Sequence, residues 1–294
     1  MSAWVRGARP TIRAWWVVVL LLLAPEGVVV WSADKVAGTL LVKDALTGLN
    51  QPVAIEAKLA RKGLLGDAGL GGEPLELLQN GEIVARAMTG GDGRAVFQFT
   101  PKTRGMATIT VRVADSPRIG PAEATANVSV WERRRPILAV ELAALMEEEP
   151  ASSPVPTLPF GKRAERDPIP DAADELRKLT QFYYNVIYMV TTEGDHSGGF
   201  STNELVRAWL KTHKFPPGHI LALPGDSDAV GTRLDELHTA GWKTLKVGIG
   251  RSKAFAEAFL QRRLEAVIVP EPSKGEVPRK AKVAKDWKEV RKKL

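Results

Sequence analysis

Thr89–Val113 reads TGGDGRAVFQFTPKTRGMATITVRV, and the fold of the first half of the chain follows from its period. Ala95, Phe97 and Phe99 alternate with Val96 and Gln98, and Ile109, Val111 and Val113 alternate with Thr108, Thr110 and Arg112. A period of two places each apolar set on one side of an extended chain, so both runs are strands with one face toward a core. Gly90-Gly91-Asp92-Gly93 introduces the first and Lys102-Thr103-Arg104-Gly105 separates the two, residue types that let the chain reverse.

The same pattern extends outward. Val53, Ile55, Ala57 and Leu59 alternate with Ala54, Glu56 and Lys58, and further runs fall at Gly38–Asp44, Glu73–Leu78, Glu82–Thr89 and Ala122–Trp131. Asn80-Gly81 and Ser116-Pro117 supply turns. Seven short strands within 38–132 predict an all-β, immunoglobulin-like sandwich. Thr89–Val113 resembles bacterial immunoglobulin-like domains, and that resemblance implies a spacer or adhesion module rather than an enzyme. Asn127-Val128-Ser129 matches a glycosylation acceptor but falls inside an expected strand, so it reads as a chance match.

Beyond Arg133 the period changes. Ile137–Val140 is a short apolar run, and Glu147–Asp167 reads as a Pro- and Glu-bearing loop. Expected helices at Asp171–Thr180, from Ser201-Thr202-Asn203-Glu204 onward, and at Ala229–Ala240, Lys253–Leu264 and Lys280–Lys293 are separated by strands at Val186–Val190, His219–Leu223, Thr244–Val247 and Ala266–Val269. Continuous apolar strands alternating with helices predict a parallel sheet covered on both faces, so 133–294 is expected to be an α/β, Rossmann-like domain. Ligands of such sheets bind at the C-terminal strand ends, here Val140–Leu145, Val190–Thr192 and Gly248–Ser252.

The N-terminus carries Arg6, Arg9 and Arg13 ahead of the uncharged run Ala14–Ala24, with Pro25, Glu26 and Gly27 interrupting it. That is the layout of an export signal, cleaved after Ser32 or kept as an N-terminal membrane anchor; either way 1–32 is expected to send the rest outside the cytoplasm. The 294 residues suffice for two cores, and 44% hydrophobic with 26% charged residues is a folded composition. With no cysteine, disulfides, thiolate metal sites and Cys nucleophiles are excluded. Of the net charge of +7, the segment Lys274–Leu294 holds nine Lys or Arg against three Asp or Glu, and residues 14–273 are left slightly acidic. Basicity confined to the ends argues against a nucleic-acid partner, while the basic C-terminal helix is a candidate contact for an anionic surface.

Five segments carry a second resemblance: PIPDAADELRKL (Pro168–Leu179), NVIYMVTT (Asn185–Thr192), ELVRAWLKTHKFPPGHILAL (Glu204–Leu223), LDELHTAGWKTLKVGIG (Leu234–Gly250) and AEAF (Ala256–Phe259). Together they resemble the haloacid dehalogenase (HAD-like) superfamily, most nearly its lipin-type phosphatidate phosphatase branch. The resemblance implies a nucleophilic Asp at the end of the first strand, an acid/base Asp two residues on, a Ser/Thr and a Lys holding the phosphoryl group, and carboxylates for Mg²⁺. This chain departs from it at each point. Ile137–Met146 offers one acid, Glu141, with Ala143, or Leu142 in a shifted register, where the second Asp would stand. Arg251 and Phe255 stand at the Mg²⁺-binding positions, Thr191 at the Ser/Thr, and Val230, with Arg233 nearby, at the Lys.

The resemblance thus implies a pseudophosphatase: an exported or membrane-anchored binding or structural protein with no catalytic residues, no metal and no cofactor, recognising an extracytoplasmic ligand or protein. The alternative is a Mg²⁺-dependent phosphatase acting on phosphate esters or phospholipid with relocated carboxylates drawn from Glu141, Asp226 and Asp228. Anion-binding candidates are Thr191, Gly248, Gly250, Arg251 and Ser252, because backbone N–H groups between a strand and a helix attract a phosphate or carboxylate. Gly225-Asp226-Ser227-Asp228 reads as a helix entry, His196, His213, His219 and His238 lack ligand spacing, and Trp209, Trp242 and Phe259 fit core positions.

Overall fold

The computed structural model describes residues 35–63, 66–148, 166–192, 200–225, 228–272 and 277–294. The expected signal or anchor at 1–32, most of the loop Glu147–Asp167, His196 and Asp226 lie outside these. Lys35–Leu294 forms a compact unit. No helix among the described residues is long and apolar enough to cross a membrane.

Among the described residues nine strands build the first half: β1 (Thr39–Val42), β2 (Ala45–Thr47), β3 (Val53–Gly63), β4 (Gly66–Gly69), β5 (Pro74–Gln79), β6 (Glu82–Met88), β7 (Arg94–Phe99), β8 (Gly105–Val113) and β9 (Glu123–Val130). One sheet centres on β3, paired antiparallel with β1, β4 and β7; the other runs β2-β9-β8-β5-β6, with β2 parallel to β9. The two inner faces meet in a core that includes Ile55, Leu59, Leu75, Leu77, Phe97, Phe99, Ile109, Val111 and Val128. All seven expected runs are strands, and their pairing is that of a β-sandwich of immunoglobulin type.

The two further strands have physical causes. β4 is GDAG, whose composition carries no strand signal. β2 exists because the chain changes sheets at Lys43 and Asp44. The Lys43 N–H donates to the Glu56 carbonyl of one sheet (3.0 Å), while Asp44 Oδ1 accepts the Asn127 N–H of the other (2.8 Å).

In the second half β10 (Ile137–Glu141) runs into a short 3₁₀ turn, Leu142–Leu145, and is followed by α1 (Ala172–Phe182), β11 (Asn185–Thr192), α2 (Phe200–Thr212), β12 (His219–Pro224), α3 (Ala229–Thr239), β13 (Leu245–Gly250), α4 (Lys253–Gln261), β14 (Glu265–Ile268), β15 (Lys282–Val283) and α5 (Trp287–Lys293). The six strands pair in parallel in the order β12-β11-β10-β13-β14-β15. In chain order this is 3-2-1-4-5-6, an open, doubly wound sheet whose order reverses between β10 and β13. Leu138, Val140, Val186 and Tyr188 pack on α1, α2 and α5, whereas Ile137, Ala139, Ile187 and Met189 pack on α3 and α4. Both faces are covered, which explains why these strands read as unbroken apolar runs.

Three expectations are corrected. The terminal helix expected at Lys280–Lys293 starts only at Trp287. Lys282–Val283 instead pairs with β14 at the sheet edge, and Asp286 caps the helix by accepting the Glu289 N–H at 3.1 Å. The strand expected at Thr244–Val247 continues to Gly250, so Gly248-Ile249-Gly250 is a central strand segment and the turn is Arg251–Ser252. Finally, α2 already contains Phe200, so Ser201 lies within the helix and does not open it.

The halves meet along β12. Leu46 and Trp131 of the sandwich join the core under α3 and α4, and the Trp131 ring stands edge-on to both His219 and Trp242 at 6.4 Å. The Arg133 guanidinium lies 4.8 Å from the Trp242 ring centroid. Asp44 and Arg207 form an ion pair across the seam, with the Asp44 side chain fully buried. Burial raises the Asp44 pKa, opposed by the Arg207 charge and by the hydrogen bonds from Asn127 and Arg207.

Candidate functional site

The place where strand order reverses is where an open parallel sheet binds ligands, because two loops part there and leave a crevice. Glu141 ends β10 on one side of it, and Arg251–Ser252 follows β13 on the other. The sequence drew attention to both as candidates for different tasks; the structure bonds them to each other. Glu141 Oε2 accepts the backbone N–H groups of Arg251 (2.6 Å) and Ser252 (2.8 Å), and Oε1 accepts the Ser252 hydroxyl (2.6 Å). The same Ser252 Oγ caps α4 by accepting the Phe255 N–H at 3.2 Å. The donors that make this turn attractive to an anion are thus present, and the anion they hold is the chain's own carboxylate.

The Arg251 guanidinium turns away from that turn. Its Nη2 donates to the Met146 carbonyl at 2.7 Å, and Nη1 lies 3.8 Å from Glu148. Burial lowers its pKa, while Glu148 and Glu141 raise it. Its charge holds the chain that leaves the 3₁₀ turn and does not serve the Arg251–Ser252 donors.

The glycines serve packing. A Cβ on Gly248 would stand 2.7 Å from the Phe259 ring, and one on Gly250 would stand 2.8 Å from Glu141 Oε2. Phe255 and Phe259 are buried with ring centroids 4.9 Å apart, so small residues are required where β13 passes beneath them. Gly248 and Gly250 bring the strand close to side chains of this protein, which is their physical role.

Thr191 shares with Glu141, Leu142, Ala143, Met146, Arg166, Met189 and Val190 a cavity of about 180 Å³ over the ends of β10 and β11. Phe255 is fully buried and closed to a metal ion. The residues present do not fit Mg²⁺, a hard cation that needs carboxylate oxygens, because both oxygens of Glu141 are engaged and Arg251 brings a positive charge. Among the described residues no group of three or more His, Asp or Glu is placed to hold a metal. Asp228 lies 4.0 Å from Arg262 at the start of α3.

Val230 packs at the edge of the α3/α4 core, and Arg233 pairs with Glu236 at 2.5 Å. His213 lies against Trp209, His219 is buried in the seam, and His238 Nε2 is 2.8 Å from the Leu245 carbonyl. Trp209, Trp242 and Phe259 are buried as their pattern predicted.

The sequence reading missed a larger cavity, about 450 Å³, in the seam between sandwich and sheet. Lys43, Asp44, Glu56, Asn203, Arg233 and Leu221 are among its lining. Nothing local in the sequence marks it, because the burial of Asp44 and its pairing with Arg207 arise only where the two halves meet.

No protein-family model matches the chain, and no curated protein does. Among solved structures, the chain is similar to the fibronectin(III)-like modules of Clostridium thermocellum CbhA at 14% identity, over 32% of this chain and 47% of that one, with a TM-score of 0.24. Titin M4 aligns at 10% identity over 34% of this chain and 100% of its own, with a TM-score of 0.25. A putative beta-galactosidase from Bacteroides fragilis aligns at 10% identity over 79% of this chain and 40% of its own, with a TM-score of 0.29.

Proposed function

We propose that this is an exported or membrane-anchored binding or structural protein in which the sandwich is a spacer and the parallel-sheet half is a non-catalytic, HAD-like recognition domain. One observation carries the reading: the only carboxylate that ends β10 is bound by Arg251 N–H, Ser252 N–H and Ser252 Oγ. A phosphoryl-transfer nucleophile must present a free oxygen to phosphorus with a second acid/base group beside it. Glu141 presents neither, since its oxygens accept three hydrogen bonds and the residue two positions on is Ala143. The placement of Glu141 at the end of the sheet's first strand, beside the fourth, supports the family resemblance while the chemistry speaks against turnover.

The test is turnover of p-nitrophenyl phosphate and of phosphatidate with Mg²⁺ present, in the native protein and in Glu141→Gln. No turnover in either is expected. Mg²⁺-dependent turnover abolished by Glu141→Gln would overturn the reading in favour of a phosphatase.

A further inference from the structure

We infer that the end of the sheet where α1 and α5 terminate is a docking surface for an anionic phospholipid bilayer. This deepens the binding role proposed above and rests on it for the side of the membrane that is met. Phe182 and Tyr183, consecutive at the end of α1, are 70% and 64% exposed, the highest values among the large hydrophobic side chains described. Their rings form an edge-on pair with centroids 6.4 Å apart. β11 begins at Asn185, so the pair sits at the N-terminal strand ends, opposite the crevice that holds Glu141.

Helix α5 ends at the same pole. It starts beside the crevice, where Trp287 Nε1 donates to the Ala144 carbonyl (3.0 Å) and Lys288 pairs with Asp171 at 3.0 Å. It finishes at Lys293, whose carbonyl accepts Lys282 Nζ at 2.7 Å; that Nζ also bonds Glu265, the first residue of β14, at 2.6 Å. Exposed cations stand on the elements that begin or end here, Arg291 and Lys292 on α5, Lys211 and Lys214 at the close of α2, and Arg134 and Arg135 ahead of β10, while the exposed acids Glu132 and Glu265 are paired with Arg104 and Lys282. Arg135 is fixed beside the aromatic pair by donating to the carbonyls of Thr180 (2.7 Å) and Tyr184 (3.5 Å). The acids of these helices, Asp174 and Glu175 in α1 and Glu289 in α5, lie in first turns at the opposite pole.

Helix dipoles account for cations at helix C-termini and acids at N-termini. They give no reason for two aromatic rings in water. Rings at headgroup depth, flanked by Lys and Arg attracted to anionic lipid, satisfy both observations together. A soluble polyanion would engage the cations and leave the rings exposed.

The compact unit Lys35–Leu294 contains the cores of both halves, so it is the form to test, free of the N-terminal apolar run. Its cosedimentation is measured with vesicles of phosphatidylcholine alone and of phosphatidylcholine mixed with phosphatidylglycerol, across a range of salt. Binding is expected only with phosphatidylglycerol, weakening as salt rises. Phe182→Ser with Tyr183→Ser should weaken it about tenfold with the urea midpoint unchanged, and Arg291→Ser with Lys292→Ser should weaken it and flatten the salt dependence. Equal binding to both vesicles, undiminished binding by the aromatic double variant, or loss of binding only through a shifted urea midpoint would overturn the proposal. None of these outcomes alters the turnover result, so the two readings fail separately.

Discussion

Ser252 meets Glu141 twice, its hydroxyl donating to Oε1 at 2.6 Å and its backbone N–H to Oε2 at 2.8 Å. The carboxylate thereby joins the end of β10 to the start of α4 across the crevice, with the Arg251 N–H as a third donor. Removing it strands two backbone donors at a helix N-terminus, where hydrogen bonds to a charged acceptor are worth more than neutral ones. Glu141→Ala should therefore lose about 2–3 kcal/mol in urea unfolding. Formate or phosphate should restore part of the loss by entering the vacated donors. A variant as stable as the native protein, or one that these anions leave unchanged, would show that the contact does not hold the crevice closed.

Gly248→Ala should destabilise by about 1–3 kcal/mol, because the added methyl meets the Phe259 ring at 2.7 Å. Shortening the opposing side chain in the pair Gly248→Ala, Phe259→Leu should recover part of that loss. Additive losses in a double-mutant cycle, measured by chemical denaturation, would place the strain elsewhere.

Across the seam, Asp44→Ala leaves Arg207 near a buried surface without its counter-ion, and about 3 kcal/mol or more should be lost. Substituting both, Asp44→Leu with Arg207→Met, should cost much less, since neither charge then has to be desolvated. Calorimetry of Asp44→Ala is expected to show the sandwich and the parallel-sheet half beginning to melt apart; one undisturbed transition at the native temperature would contradict this.

His219 titrates at a depressed pKa, lowered from 6.5 to about 4 by burial in the first place and by the Arg233 charge in the second. The folded protein holds the ring neutral while the unfolded chain takes up a proton near pH 6.5, so stability is complete above that pH and is lost as pH falls toward 4. The loss attributable to this ring approaches about 3 kcal/mol at the lower limit. Urea midpoints followed from pH 7 to pH 4 should fall less steeply in His219→Gln than in the native protein, and parallel curves would refute the assignment.

Period and punctuation made most of the fold legible before any coordinates. Alternation at Ala95–Phe99 and Thr108–Val113 fixed which faces meet, since a strand slipped by one residue would turn Phe97 and Val111 to water. Unbroken apolar runs such as Ile137–Val140 required cover on both sides, and helices supply it on both. What stayed hidden depends on partners far apart in sequence. Asp44 and Arg207 form an ion pair, Trp131 finds His219 and Trp242, and Glu141 reaches Ser252, all through long-range packing that no local pattern announces.

The candidate site shows the same division. The residue types at 141 and 248–252 were visible in the sequence, and so was the attraction of an anion to the turn. Only the tertiary structure decided which anion, because pairing β10 beside β13 brings the Glu141 carboxylate within reach of donors that a ligand would otherwise claim. Once that carboxylate is covalently part of the chain, its local concentration exceeds that of any free competitor, and the crevice closes on itself.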